Sequence, residues 1–124
     1  MLELGINSTN INCGHIGESI MKDLISKVVA FRDERGWKEF DKEEDLAISI
    51  SLEASELLEN FQWRTSEEAI LESKQNIKEE MADILIYLVQ LADKMEINLE
   101  EEVFKKLEKN AVKYPVKENE VTRK

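Results

Sequence analysis

The chain has 124 residues, one ordinary domain's length, and 42% of them are hydrophobic, enough to fill a core. The 17 lysines and arginines are outnumbered by 27 aspartates and glutamates, a formal net charge of −10. That balance argues against a nucleic-acid partner, because phosphate contacts need clustered positive charge. One proline and four glycines argue against an all-β fold with many tight turns, and the single cysteine, Cys13, cannot close an intramolecular disulfide.

Residues 1–17 are rich in Asn, Gly and Ser and show no period, so a flexible N-terminal arm is expected. Cys13 and His15 both fall there, and two residues do not make a zinc site. The start, Met-Leu-Glu-Leu-Gly, lacks the basic and apolar regions of a signal peptide. The longest apolar stretch, Ile84 to Leu91, is too short to cross a bilayer. A cytoplasmic location with no membrane partner is the expectation.

Helical periodicity begins at about Ser19, with Ile20, Leu24, Val28 and Phe31 on one face, and Gly36 ends it after Arg35. A loop with Trp37 and Phe40 is predicted next. Asp41 with Glu44 reads as a capping box opening a second helix. Leu46, Ile50, Ala54, Leu57, Leu58 and Phe61 form its apolar stripe, which ends near Trp63. Thr65 with Glu68 caps a third helix running to about Met95, with Ile77, Met81, Ile84, Leu85, Leu88 and Leu91 inward. Asn98 with Glu101 caps a fourth, where Leu99, Val103, Leu107 and Ala111 face inward until Pro115. The charged residues 117–124 are expected to form a disordered tail. Short connections between these segments predict an all-α four-helix bundle over residues 18–116. From Ile84 to Ala92 the apolar residues surround the helix instead of keeping to one side, so a second subunit must cover them. A homo-oligomer follows.

Four acids stand out by position. Glu53 and Glu56 on the second helix, and Glu80 and Asp83 on the third, are each spaced i, i+3 and so share a side of their helix. On a helical wheel Glu53 lies roughly 20–40° from Leu46 and Leu57, and Glu80 about 40° from Ile84. Each pair therefore borders a core-facing stripe, where carboxylates lose solvation and repel one another unless a cation compensates. Hard divalent cations, Mg²⁺ first and Mn²⁺ second, take such oxygen ligands. Glu-x-x-Glu is also common on plain solvated helices, and only the shared placement beside the core favours the metal reading. On the fourth helix Lys106, Asn110 and Lys113 share a face that borders Leu99 and Val103, either binding phosphate or covering apolar surface. Trp37 and Trp63, at helix ends, are either core caps or flat faces for a base, with Tyr87 nearby in pattern. Carboxylates, lysines and aromatic faces together are what a nucleotide polyphosphate requires.

Glu53-Ala-Ser-Glu56 followed by Glu80-Met-Ala-Asp83 resembles the metal motif of the all-α nucleoside triphosphate pyrophosphohydrolases, the MazG-like superfamily. The dCTP pyrophosphatase branch is the most similar, through Leu57-Leu-Glu-Asn-Phe-Gln-Trp63, Asp83-Ile-Leu-Ile-Tyr87-Leu88 with Leu91-Ala-Asp-Lys94, and Lys105-Lys-Leu-Glu-Lys-Asn-Ala-Val-Lys-Tyr-Pro115. The similarity covers roughly residues 20–116 and is more specific for the superfamily than for the substrate.

The resemblance implies Mg²⁺-dependent cleavage of a nucleoside triphosphate between its α and β phosphates, giving a monophosphate and pyrophosphate. It assigns the metal to Glu53, Glu56, Glu80 and Asp83, with Glu53 or Glu56 also taking the proton of the attacking water. Lys106, Asn110 and Tyr114 match positions contacting phosphates and sugar, Tyr87 lies near the sugar, and Trp37 and Trp63 enclose the base. Lys113 is added from the helical face alone. A homotetramer, a dimer of dimers, is implied as well. One departure concerns the base. Some dCTP-specific relatives carry a histidine where Val28 stands, and valine cannot donate a hydrogen bond to cytosine, which points to a broader pyrimidine or modified-nucleotide preference. The alternatives are a non-catalytic helical interaction module, a relative of the dimeric dUTPases, or a phosphoribosyl-ATP pyrophosphohydrolase.

Overall fold

The computed structural model describes residues 15–117 and 120–121, so Cys13 and most of the expected N-terminal arm lie outside the described residues. Helix α1 spans His15–Glu34, α2 Trp37–Phe40, α3 Glu43–Glu59, α4 Ser66–Lys94 and α5 Leu99–Lys113. Two-residue strands, β1 at Val116–Lys117 and β2 at Glu120–Val121, pair antiparallel within the segment expected to be disordered. No helix among the described residues is long and apolar enough to cross a membrane.

The helix ends follow local chemistry. Gly36 terminates α1 in the left-handed region, at φ 67°, where a side chain would be strained. The expected loop after it is instead the single-turn α2, closed by Asp41 N–H donating to the Trp37 carbonyl at 2.9 Å. The capping box expected at Asp41 and Glu44 is displaced by one residue. Lys42 is the N-cap, and its backbone N–H donates to Asp45 at 3.0 Å. Both Asp41 and Lys42 are extended, so the first residue free to enter the helix is Glu43. The second helix also ends earlier than the apolar stripe predicts, at Glu59 instead of Trp63, because Asn60 caps it. The Asn60 amide donates to the Glu56 and Leu57 carbonyls at 3.2 and 3.3 Å, supplying partners for groups that a helix end leaves bare. Thr65 and Glu68 form the expected reciprocal box at the start of α4, with bonds of 3.1 and 3.2 Å. Asn98 caps α5 through Glu101 N–H at 3.1 Å.

Helices α3 and α4 form the hairpin on which the rest is assembled. Across it, the Asn76 amide donates to Asn60 Oδ1 at 2.9 Å, and Asn60 is buried. Asn76 is exposed, but a slip along the hairpin would leave the buried Asn60 Oδ1 without its donor. The bond therefore fixes which residues face each other further along. Glu53 lies seven residues before Asn60 and Asp83 seven after Asn76, about two turns in each direction. The two acidic motifs meet for that reason.

The core of a single chain is thin. Leu46, Ala69, Val89 and Ala92 are its buried apolar residues among those described, joined by Arg32, Asn60 and Gln90. Arg32 on α1 pairs with Asp93 of α4 at 2.8 Å and with Asp33 at 2.9 Å. Helix α5 buries no residue, and a cavity of about 240 Å³, lined by Ile25, Val89, Ala92 and Leu99, separates it from α1 and α4.

Candidate functional site

One carboxylate oxygen from each of Glu53, Glu80 and Asp83 lies within 4.8 Å of the others. Helix α3 supplies the first and α4 the other two, so the register set by Asn60 and Asn76 also sets this spacing. Glu53 Oε2 and Glu80 Oε2 are both buried, and among the described residues no backbone N–H or other side chain donates to them. Two ionised carboxylates only accept, so they cannot bond each other unless one keeps a proton. Glu53 is accordingly pushed up to about 7 from 4.5. The main cause is a hydrogen bond with Glu80, followed by burial, then by Glu56 and by the charge of Asp83. A divalent cation placed among these oxygens would satisfy both orphaned atoms and relieve the repulsion that holds the proton. The donor set, three half-buried carboxylates, fits a hard cation such as Mg²⁺ or Mn²⁺. Glu56 is exposed and outside the close set, though near enough to act on Glu53.

Tyr87, one turn beyond Asp83 on α4, belongs to the same neighbourhood. Its hydroxyl is held above its ordinary pKa, first by burial and then by the charges of Glu53, Asp83, Asp41 and Glu56. Asp41, which closes α2, is therefore near enough for its charge to act on Tyr87. Trp37 itself is partly exposed, its ring edge-on to Phe31 at 5.8 Å, with the Arg35 guanidinium 3.5 Å from the Phe31 ring. Trp63 is no core cap. It is fully exposed, on a left-handed backbone with φ 62°, in the turn between α3 and α4. On α5, Lys106 and Lys113 are exposed and Asn110 is half-buried, as is Tyr114 beyond the helix, with Lys113 Nζ 5.3 Å from the Tyr114 ring. Among the described residues no ion pair or hydrogen bond links these four to the carboxylates. Val28, on α1, is half-buried.

Periodicity alone did not single out Lys94, Asn60 or Asn76. Lys94 Nζ donates to the carbonyls of Lys38, at 2.6 Å, and Asp41. Lys94 belongs to the Leu91-Ala-Asp-Lys94 stretch of the resemblance, but nothing in that pattern names the carbonyls it binds. A pair of asparagines sixteen residues apart becomes legible only when the hairpin is closed.

Comparison with known proteins agrees with this geometry. The model of the MazG-like family matches residues 48–124. The chain is 34% identical over 104 residues to dCTP pyrophosphatase 1 of Bos taurus, covering 80% of this chain and 62% of that protein. It is 32% identical over 103 residues to dCTP pyrophosphatase 1 of Homo sapiens, covering 79% and 61%. The chain thus spans less than two-thirds of the length of these mammalian relatives. The crystal structure of a pyrophosphatase from Archaeoglobus fulgidus superposes with a TM-score of 0.72 at 47% identity, over 77% of this chain and 93% of that one.

Proposed function

The chain belongs to the MazG-like family, and from that premise we propose that it is a metal-dependent nucleoside triphosphate pyrophosphohydrolase. It would cleave a dNTP, dCTP or a close analogue foremost, to the monophosphate and pyrophosphate and so clear the nucleotide pool. The observation that carries this reading is the pair of buried oxygens on Glu53 and Glu80, close to Asp83, that no other described residue satisfies with a donor. A non-catalytic helical module offers no reason to hold two such oxygens together. The names of the mammalian and archaeal relatives point the same way.

In this reading Glu53, Glu56, Glu80 and Asp83 hold Mg²⁺, with Mn²⁺ able to replace it. When bound, the cation would neutralise phosphate charge and stabilise the leaving pyrophosphate oxygen. The chain's own residues do the rest. Glu56, outside the tight set, has oxygens free to take the proton of the attacking water, with Glu53 as the other candidate. Lys106, Lys113 and Asn110 would grip phosphate oxygens, and Tyr87 and Tyr114 would border the sugar. Trp37 and Trp63 offer aromatic faces to the base. Val28 supplies no hydrogen bond at the position where some relatives have histidine, which supports a pyrimidine preference broader than dCTP alone.

Catalysis would reside in residues 18–116 of a cytoplasmic four-helix bundle, assembled as a homotetramer built from two dimers. Large apolar side chains left open on α3 and α4 support assembly: Ile48, Leu52, Leu58, Met81 and Leu85 are each more than 40% exposed. The substrate class is tested by incubating the protein with a panel of dNTPs and NTPs and resolving monophosphate, pyrophosphate and phosphate. Pyrophosphate with a pyrimidine monophosphate is expected, and phosphate as the sole product would overturn the reading.

A further inference from the structure

Helix α2 is anchored on α1, where the Trp37 ring meets Phe31, rather than on α4. It has four residues and buries none of them, so apolar packing does not fix it to the helix that carries Glu80, Asp83 and Tyr87. A polar link does. Lys94, the last residue of α4, reaches across more than fifty positions of sequence and donates to the carbonyls of Lys38 and Asp41. Its side chain is only 18% exposed, and Glu43 stands 3.9 Å from the ammonium. The two carbonyls lie at the C-terminal end of α2, where helix carbonyls lack internal partners and attract positive charge.

The link runs on to the aromatic ring. Asp41 N–H donates to the Trp37 carbonyl, so the ammonium holds Asp41 and Asp41 holds Trp37. Phe31 and Arg35 then fix the ring from the α1 side. The charge of Asp41 is felt at Tyr87, two turns before Lys94 on α4.

We propose that Lys94 is a positioning residue: through the Lys38 and Asp41 carbonyls it holds the Trp37–Asp41 segment against α4 and thereby sets where Trp37 meets a bound nucleotide. It touches no substrate. The consequence for substrate rests on the pyrophosphohydrolase reading above, whereas the tether itself does not.

The test separates the two. Lys94→Met keeps the aliphatic stem and removes the donors, and Lys94→Arg keeps a charged donor. Kinetics use the wild-type background, and fluorescence uses a Trp63→Phe background, so that Trp37 is the only tryptophan and its anisotropy reports the segment in nucleotide-free protein. Lys94→Met is expected to lower that anisotropy and to raise KM for the best triphosphate about tenfold, with kcat within about twofold. Lys94→Arg is expected to recover most of both. Unchanged anisotropy in Lys94→Met overturns the proposal. So does a parallel loss of kcat with KM unchanged, because that is the mark of a smaller folded fraction. If Lys94→Met does not fold, Lys94→Arg decides alone: anisotropy and KM near the parent's support the proposal, and values displaced with unchanged helicity overturn it. If the parent protein hydrolyses no triphosphate, the pyrophosphohydrolase reading fails, and the tether is still judged by the anisotropy.

Discussion

Glu53 meets two other acids at close range, Glu80 across the hairpin and Glu56 one turn along its own helix, and it keeps its proton up to about pH 7. The consequence for stability has a definite sign. A carboxyl whose pKa is higher folded than unfolded binds its proton more tightly in the folded state. Its stabilisation is complete below its ordinary value of 4.5 and is lost as the pH rises through about 7. Metal-free protein in chelator should therefore lose on the order of 1–3 kcal/mol between those limits, read from urea unfolding at a series of pH values. Glu53→Gln, which cannot ionise, should flatten that dependence and be the more stable protein at pH 8. It should also lose activity by about a hundredfold or more, because a proposed metal ligand is gone. Glu56→Gln should leave most of the pH dependence in place, since Glu56 ranks behind Glu80 and burial among the causes. A pH profile identical in wild type and Glu53→Gln would show that the proton is not held there.

Among the elements, the α3–α4 hairpin is where sequence and structure agree most closely. The third helix was legible from Thr65 to its C-terminus because it has a complete capping box and a long apolar period. The acidic pairs were legible because their i, i+3 spacing borders that period. The ends of α3 were less so, since Asp41 and Lys42 compete for the same cap and only the backbone decides between them. Trp63 read as either a core cap or a flat face for a base, and it stands in solvent on a left-handed turn that no periodicity announces. Register was invisible in the sequence, because it depends on Asn60 meeting Asn76. If that bond sets the spacing of the acids, Asn60→Ala and Asn76→Ala should be coupled by about 1 kcal/mol in a double-mutant cycle. Each single variant should also bind Mg²⁺ more weakly by calorimetry. Additive stability effects with unchanged metal affinity would assign the register to packing instead.

At the scale of the whole molecule, one chain leaves large apolar side chains open, which is the ground for the proposed assembly. Leu52 is 59% exposed, Met81 58% and Phe104 61%, while α5 buries nothing. Open apolar faces of this kind favour contact with another surface. Sedimentation should therefore give a tetramer of the 14.4 kDa chain. Leu52→Lys should reduce its size, because a lysine there would bring an unpaired charge into an apolar contact. A wild-type monomer would contradict the assembly while leaving the carboxylate cluster intact.

The most direct test of the central claim, that Glu53, Glu80 and Asp83 form a metal site serving triphosphate cleavage, is pyrophosphate release from dCTP by wild type and Glu80→Gln across a Mg²⁺ titration. Wild type should release dCMP and pyrophosphate only when metal is present. Glu80→Gln, with its helicity unchanged, should fall by about two orders of magnitude or more. Equal release by the two proteins, or release that ignores Mg²⁺, would contradict the account.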